Sequence, residues 1–302
     1  MRQPMMQTVR TVVLAISATF LTVTAGAAEG IEGRVEVGGA PIAGAEVSVW
    51  LAGPGVPQQL AKAMSNDDGS YDLSFAEVKG DVGVLYLIAE GGESKQAAAK
   101  GPNPAITLMA TLGPKPPNRV TINELTTVAS VWTSAQFLNG SALSGNALGL
   151  RIAAGNVPNL VNLETGGLGA VIMDPLNSSQ TTTLAKLNTL GILLTACVTA
   201  QQDACNKLFA VATPPGGVVP SNTLAAAQNI ARHPAHQADK LFGLLDEFYP
   251  VPAGKRWREV TLIPYLNFAP SAWTLSLVYS GGGYNGVGGI AIDGVFRALR
   301  DN

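Results

Sequence analysis

The sequence has little charge and few aromatic side chains. Charged residues make up 13% and aromatic residues 6% of the chain, whereas apolar residues reach 47%. The net charge is −2, and it becomes −4 when Arg2 and Arg10 of the N-terminal leader are left out. Such a balance disfavours nucleic acid or an acidic membrane surface as the main partner. The composition instead predicts apolar cores built largely from small side chains.

Motifs that carry catalytic chemistry are also missing. We find no H-E-x-x-H, no G-x-S-x-G and no Walker sequence. The two histidines and a following aspartate form an H-x-x-H-x-x-D pattern at His233, His236 and Asp239. A metal site needs further ligands and an open cavity, so these are weak metal candidates, and surface or helix-capping histidines are the favoured interpretation. The sequence therefore predicts a non-enzymatic protein without a cofactor.

Cysteine is equally scarce, with one pair at Cys197 and Cys205. The two residues are eight positions apart, near the end of one predicted helix and the start of the next, and their spacing matches neither C-x-x-C nor a zinc pattern. The alternatives are a structural disulfide and a redox or metal pair, of which the disulfide is favoured. A disulfide closing so short a loop contributes about 2–3 kcal/mol.

The first 27 residues have the pattern of a secretory signal. Arg2 and Arg10 supply the positive region, residues 12–25 supply the apolar run, and Ala25-Gly26-Ala27 supplies the cleavage site. A retained membrane anchor is the alternative, but the apolar run is short for one. We expect an exported protein, periplasmic or extracellular, with no membrane span after cleavage. An oxidising compartment also suits an even number of cysteines.

Residues 30–112 have the pattern of an all-β domain. Short runs rich in strand-forming residues occur at 33–37, 46–51, 61–65, 71–75, 82–89 and 105–111. Several runs, among them residues 85–89, alternate as half-buried strands do, and turn residues separate them, which predicts a β-sandwich. The turn Asn66-Asp67-Asp68-Gly69 could in principle hold Ca²⁺, but an Asx-type hairpin turn is the favoured interpretation.

Three segments of this region resemble the carboxypeptidase regulatory-like domains, which are prealbumin-like sandwiches on many exported bacterial proteins. They are Gly33-Arg34-Val35, residues 39–47 (GAPIAGAEV) and residues 66–73 (NDDGSYDL), with Asn66 where Asp or Asn is usual. The resemblance covers about a quarter of the chain and implies an accessory module. It brings no peptidase activity, because the sequence shows nothing of the separate zinc domain of the enzymes that name the family.

A Pro-rich linker at residues 113–120 is the predicted boundary, and helical patterning fills residues 121–250. Thr121 and Glu124 have the spacing of a capping box for a first helix that ends near Leu138. Residues 166–180 are expected to be loop. The further helices are expected at residues 146–163, at two positions within 184–212, at 224–231 and at 235–249. Six helices in this span predict an all-α domain.

The helical region also resembles a part of the exported bacterial NHL-repeat proteins. The similar runs are residues 124–130 (ELTTVAS), residues 187–197 (LNTLGILLTAC) with Cys205, residues 208–210 (LFA) and residues 229–234 (NIARHP). In that family the helical region precedes a β-propeller related to virginiamycin B lyase. The cysteine pair belongs to the resemblance, which further favours the disulfide.

Residues 270–302 resemble the start of the first propeller blade. Residues 273–279 alternate as a strand, residues 281–283 are glycines, and residues 289–293 (GIAID) have the pattern of a second strand. The sequence then departs from the family pattern and stops, which predicts a blade remnant. Two interpretations stay open: a truncated relative, or a natural short form whose hairpin packs on the helical domain.

The expected fold is therefore multidomain, with a prealbumin-like β-sandwich, an all-α domain and a short C-terminal β-hairpin. The expected function is that of an exported, non-catalytic accessory or binding protein of the cell envelope, with a polysaccharide or a protein as partner. The alternative is a truncated virginiamycin B lyase-like protein whose activity lies in the missing propeller. A metal-dependent activity at His233, His236 and Asp239 is a weaker third hypothesis.

Overall fold

The computed structural model describes residues 28–78, 83–98, 100–113, 116–199, 202–250 and 266–279, and the backbone of residues 291–292 and 298–299. Strands come first along the chain and helices follow, in a mixed α and β fold. The first nine strands are β1 Ala28–Val37, β2 Ala40–Ala43, β3 Glu46–Ala52, β4 Gln58–Met64, β5 Ser70–Ala76, β6 Val84–Glu90, β7 Glu93–Ser94, β8 Thr107–Thr111 and β9 Arg119–Ile122. The predicted signal sequence lies outside the described residues.

These strands form two main sheets. One has the order β5-β1-β2-β7, with β9 also paired to β1, and the other has the order β4-β3-β6-β8. Neighbours are antiparallel except that β9 runs parallel to β1. Burial on β5 follows the pleat, since Tyr71, Leu73 and Phe75 are buried and the residues between them are exposed. The apolar side chains of both sheets belong to one contiguous cluster.

The helices are α1 Glu124–Ser134, α2 Ala147–Leu160, α3 Ala170–Met173, α4 Pro175–Ser178, α5 Thr183–Thr199, α6 Gln202–Val211, α7 Thr223–Arg232 and α8 Ala238–Phe248. The hairpin β10 Leu138–Asn139 and β11 Ala142–Leu143 stops the first helix earlier than predicted. Residues 166–180 contain α3 and α4, so the prediction of an all-loop segment there was wrong. The remaining helices lie close to their predicted positions.

The predicted linker leads directly into a sheet. Because β9 pairs with residues 32–35 of β1, Thr121 is extended, and its hydroxyl donates to the Glu164 carbonyl oxygen at 2.9 Å. Asn123 caps α1 instead, with its side chain accepting from the Thr126 N–H and the Thr126 hydroxyl accepting from the Asn123 N–H. The predicted capping box of Thr121 and Glu124 was therefore wrong.

Helices cover the second face of the β4-β3-β6-β8 sheet. α1 and α7 contact β8, and α2 contacts β6. Consequently residues 84–89 of β6 and the whole of β8 are buried, not only alternate positions. The prediction of half-buried alternation over residues 85–89 was wrong because it did not anticipate this helical layer.

The cysteine pair forms a disulfide, which confirms that prediction. It joins α5 to α6, with the Cα atoms of Cys197 and Cys205 4.3 Å apart. Both residues are buried, and the apolar face of α5 runs through the middle of the helical layer. The bond therefore fixes the corner between these two helices.

The chain from residue 266 to residue 279 forms neither helix nor strand and lies against the helical layer. Residues 273–279 were predicted to be a strand, but within the described part of the chain they pair with helix side chains and not with a strand. Further on, β12 Ala291–Ile292 and β13 Ala298–Leu299 pair antiparallel. The rest of the predicted blade, residues 280–290, 293–297 and 300–302, lies outside the described residues. No described helix has the length and hydropathy that a bilayer crossing requires.

Candidate functional site

A groove opens where the loop before β8, helix α6 and the loop before α7 meet. Its volume is about 580 Å³, within the range of small-molecule sites. The lining residues are Pro104, Ala105, Asn206, Phe209, Val219, Pro220 and Ser221. We call this the Phe209 groove. None of the lining residues that the structure describes is charged, so the groove suits a neutral ligand with both apolar and hydrogen-bonding surface.

Helix α6 supplies the floor and one rim of the groove. Phe209 is 7% exposed and packs in the core, so that its accessible part forms the floor. Asn206, three residues earlier, is exposed at the rim. The disulfide at Cys205 ties this part of α6 to α5. The floor therefore rests on a covalently fixed element.

The two loop walls are hydrogen-bonded to each other through Thr223. Its N–H donates to the Ala105 carbonyl at 2.9 Å, and its hydroxyl donates to the Thr107 carbonyl at 2.6 Å. The same hydroxyl accepts from the Thr107 N–H at 3.0 Å. Asn103 and Asn222 each accept a local backbone N–H, which fixes the turn of each loop. These hydrogen bonds fix the two walls of the groove relative to each other.

Two solvent-exposed apolar side chains lie next to the groove. Val218 is 86% exposed and Val219 is 59% exposed. Exposed apolar side chains gathered next to a concave surface are typical of a binding site. The sequence patterns did not identify this apolar pair, which directly follows Pro214, Pro215, Gly216 and Gly217. Two adjacent valines in a Pro- and Gly-rich loop were the available signal.

A carboxylate at the start of α1 has an unusual environment. Glu124 Oε2 accepts a hydrogen bond from the Gly38 N–H of the β1–β2 turn at 3.2 Å. Burial raises the pKa of Glu124 to about 7, against the opposing effect of the backbone N–H groups of Glu124 and Gly38. The nearby Glu36 charge raises this pKa further, and the charge of Glu124 adds to burial in raising the pKa of Tyr249.

This carboxylate can change its protonation near neutral pH. Part of the Glu124 side chain remains accessible to solvent. Among the described residues no Lys or Arg forms an ion pair with it. Perturbed carboxyl groups often mark functional sites. The hydrogen bond from the Gly38 N–H therefore joins a β-turn to a helix through a carboxyl group whose pKa is raised by burial.

The weak metal candidates do not form a metal-binding group. His236 Nε2 lies 3.0 Å from the Thr213 carbonyl oxygen and 3.0 Å from Gln237 Nε2. His233 follows α7, and its N–H donates to Asn229, while Asp239 lies in the first turn of α8. Throughout the described ranges, no three His, Cys, Asp or Glu side chains are placed to hold a metal ion together.

The acidic turn at residues 66–69 has the geometry of an Asx turn. Asp68 Oδ1 accepts from the Ser70 N–H at 3.0 Å and from the Ser70 hydroxyl at 2.6 Å. Its Oδ2 lies 3.5 Å from Arg34. The hydrogen bonds from Ser70, followed by the Arg34 charge, lower the pKa of Asp68. Both carboxylate oxygens therefore already have protein partners.

Comparison with known proteins gives little. No protein-family profile matches the chain, and no curated protein sequence matches it. A crystal structure of a 9R-lipoxygenase from Cyanothece PCC8801 overlaps 38% of the chain at 12% sequence identity, with a TM-score of 0.23. The overlap covers 18% of the lipoxygenase chain. So low a TM-score supports no statement about fold or function.

Proposed function

We propose that the chain is an exported, non-catalytic binding protein of the cell envelope, and that the Phe209 groove holds a neutral stretch of envelope polysaccharide. The composition of the groove carries the proposal. It combines an aromatic floor and exposed valines with the Asn206 amide and the Ser221 hydroxyl, and no lining residue is charged. Sugar rings present apolar C–H faces and many hydroxyls, which these two kinds of surface match.

The proposed architecture agrees with that role. The N-terminal sheets are proposed to be a prealbumin-like sandwich of the carboxypeptidase regulatory-like type, a kind of module that is usually accessory. An all-α domain would follow, and residues 270–302 would be the remnant of a propeller blade. The pairing of β9 with β1 moves the proposed domain boundary from the Pro-rich run to the start of α1. Export past a signal at residues 1–27 would suit the Cys197–Cys205 disulfide.

The propeller resemblance leaves a second candidate, a virginiamycin B lyase-like protein whose activity would lie in a propeller that residues 270–302 begin. The docking of residues 273–279 on the helical layer favours it, because such a contact would fix a first blade to the helices. Reading the coding DNA beyond Asn302 in all frames tests this candidate. Further blades would support it, and an unrelated intergenic region would contradict it.

Co-sedimentation with insoluble envelope polysaccharide tests the binding proposal. Ser221→Trp places a bulky side chain at the groove wall, whereas Ser141→Trp makes the same change at an exposed serine in the β10–β11 turn. We expect Ser221→Trp to lower the bound fraction by about tenfold or more, a loss of about 1.4 kcal/mol. The Ser141→Trp control should bind like the parent chain. No retention of the parent by any polysaccharide fraction, or equal retention of both variants, would contradict the proposal.

A further inference from the structure

Residues 273–279, here called the docked segment, are held by helix side chains that bind backbone atoms. Asn177 of α4 accepts from the Val278 N–H at 2.7 Å and donates to the Val278 carbonyl at 2.9 Å. Its amide also donates to the Val171 carbonyl at 3.1 Å, and the residue is 1% exposed, so the amide is held in place. One side chain thus makes the pair of bonds that a residue of a neighbouring strand makes.

The same edge of the docked segment is bound at two further positions. The Thr183 hydroxyl donates to the Ser276 carbonyl at 2.5 Å and accepts from the Ser276 N–H at 3.3 Å. Lys186 Nζ donates to the Thr274 carbonyl at 3.2 Å. Positions 274, 276 and 278 are two residues apart, and alternate residues of an extended chain present their backbone groups on the same edge. α4 and α5 together therefore act as the neighbouring strand of the docked segment.

Trp273 anchors the start of the docked segment. Its side chain is fully buried, its N–H donates to the Pro234 carbonyl at 2.8 Å, and its indole donates to the Ala238 carbonyl at 3.3 Å. The Trp132 indole donates to the Trp273 carbonyl at 2.7 Å. A buried tryptophan followed by evenly spaced backbone contacts is the pattern of peptide recognition, with an anchor for specificity and main-chain bonds for affinity.

We propose that Trp132, Asn177, Thr183 and Lys186 form a peptide clamp that can also bind the docked segment of a second copy of this chain. The occupant follows from the structure, because this segment is the peptide that the clamp is seen to hold. The docked segment would make the same contacts with the clamp of its own chain and with the clamp of a second copy. Exchanging the segment between two copies therefore costs little free energy beyond the entropy of association. The tether raises the local concentration to about the millimolar range, which favours the closed single chain in dilute solution.

Two complementary variants remove the competition between a chain's own docked segment and the segment of a second copy. Ser276→Pro/Val278→Pro deletes the two N–H groups that the clamp accepts, at exposed positions where the chain is already extended. Asn177→Leu/Thr183→Val deletes the clamp groups and leaves the docked segment intact. Each variant has either an altered segment or an altered clamp, so neither chain can bind its own segment. In a mixture, the intact segment of the clamp variant can bind the intact clamp of the segment variant. We expect each variant alone to have the monomer mass and the mixture to form a species of twice that mass.

Matched controls test whether the named bonds are responsible. Thr274→Pro replaces an exposed residue whose N–H makes no hydrogen bond within the described ranges. Thr199→Val removes an α5 hydroxyl whose one hydrogen bond among the described residues goes to the Thr195 carbonyl of its own helix. Neither control should form a dimer when mixed with the complementary variant, because each keeps its own clamp and segment matched.

A labelled peptide of residues 270–279 gives a second measurement if the clamp variant fails to fold. It should bind Ser276→Pro/Val278→Pro about tenfold or more tightly than it binds the parent, in which the tethered segment competes. Peptide binding without a mixed dimer would overturn the second copy as the occupant. No peptide binding to a folded segment variant would overturn the clamp itself.

Discussion

At the scale of single residues, Glu124 is expected to make stability depend on pH. Its pKa is about 7 in the folded chain and about 4.3 in the unfolded chain. Between these two pKa values the folded chain binds more protons than the unfolded chain. The contribution of Glu124 to stability is therefore fully present below about pH 4 and is lost as pH rises through 7. The effect is at most about 4 kcal/mol, and less because the side chain is partly accessible.

Glu124→Gln tests this dependence. Glutamine keeps an acceptor for the Gly38 N–H but carries no charge, so the decline in unfolding free energy between about pH 5 and pH 8 should flatten. Urea unfolding across this range measures it. Glu77→Gln, at an exposed carboxylate that directly follows β5, is the matched control and should leave the slope unchanged. An equally steep decline in the Glu124→Gln variant would contradict the assignment.

Gly33 is required by the close approach of β9. A Cβ atom at position 33 would lie 1.8 Å from the Val120 carbonyl oxygen and 2.9 Å from the Tyr71 hydroxyl. That hydroxyl itself donates to the same carbonyl at 2.7 Å. Gly33→Ala should therefore push β9 away from β1 and break a buried hydrogen bond, at a cost of about 2–4 kcal/mol.

Gly30→Ala is the matched control for that prediction on the same strand. Its Cβ would meet its nearest neighbour, the Leu73 carbonyl oxygen, at an ordinary 3.8 Å. The unfolding free energy should be unchanged or slightly higher, since alanine restricts the unfolded chain. Equal losses for both variants in urea unfolding would mean that the β9 contact is not the cause.

At the scale of elements, helix hydroxyls complete the edge of a sheet. The backbone N–H groups of alternate residues on β8 donate to hydroxyls of α1 and α7. The pairs are Thr107 with Thr223, Met109 with Thr127, and Thr111 with Ser130. An edge strand bound in this way offers these N–H groups to no further strand. The docked segment is held by the same device on the other side of the helical layer.

Thr127→Val is the sharpest test of this edge. Valine has nearly the same shape but leaves the buried Met109 N–H without an acceptor, which costs about 1–3 kcal/mol. Thr133→Val, on the same helix, removes a hydroxyl that bonds only carbonyls of α1 and should cost clearly less. Unfolding free energies in urea compare the two. A loss for Thr133→Val as large as that for Thr127→Val would contradict the proposed role of the hydroxyl.

Sequence patterns predicted those features that depend on nearby residues. Most of the N-terminal strands, most helices and the disulfide follow from periodicity, turn residues and cysteine spacing, whereas β7 and β9 were not predicted. The polar residues Thr127 and Ser130 could not be interpreted, because their partners on β8 are known only once the helix and the strand are packed together. Residues 273–279 were predicted to be a strand, but their backbone groups pair with side chains of α4 and α5. The Phe209 groove was missed because its walls come from three separate segments.

At the scale of the whole molecule, the β and α regions are one packed unit. The β9 pairing, the Thr223 bonds to β8 and the Gly38–Glu124 contact all join them. Buried apolar residues of both regions form a single cluster. The sequence predicted two domains separated by a Pro-rich linker, but domains joined by a simple linker share few contacts. Because the β and α regions share these bonds and one apolar cluster, neither region can unfold without exposing the core of the other.

We therefore expect one unfolding transition for the chain. Near-ultraviolet circular dichroism reports on aromatic packing in both regions, since Trp50 and Tyr86 stack in the sheets with ring centroids 6.4 Å apart and Trp132 and Trp273 lie in the helical layer. Far-ultraviolet circular dichroism reports mainly on the helices. Both signals should share one midpoint, and the calorimetric and van't Hoff enthalpies should agree. Thr127→Val should lower both midpoints equally, since it breaks a bond between the two regions. Two separate midpoints, or a shift of only one of them, would instead show that the sheets and helices fold independently.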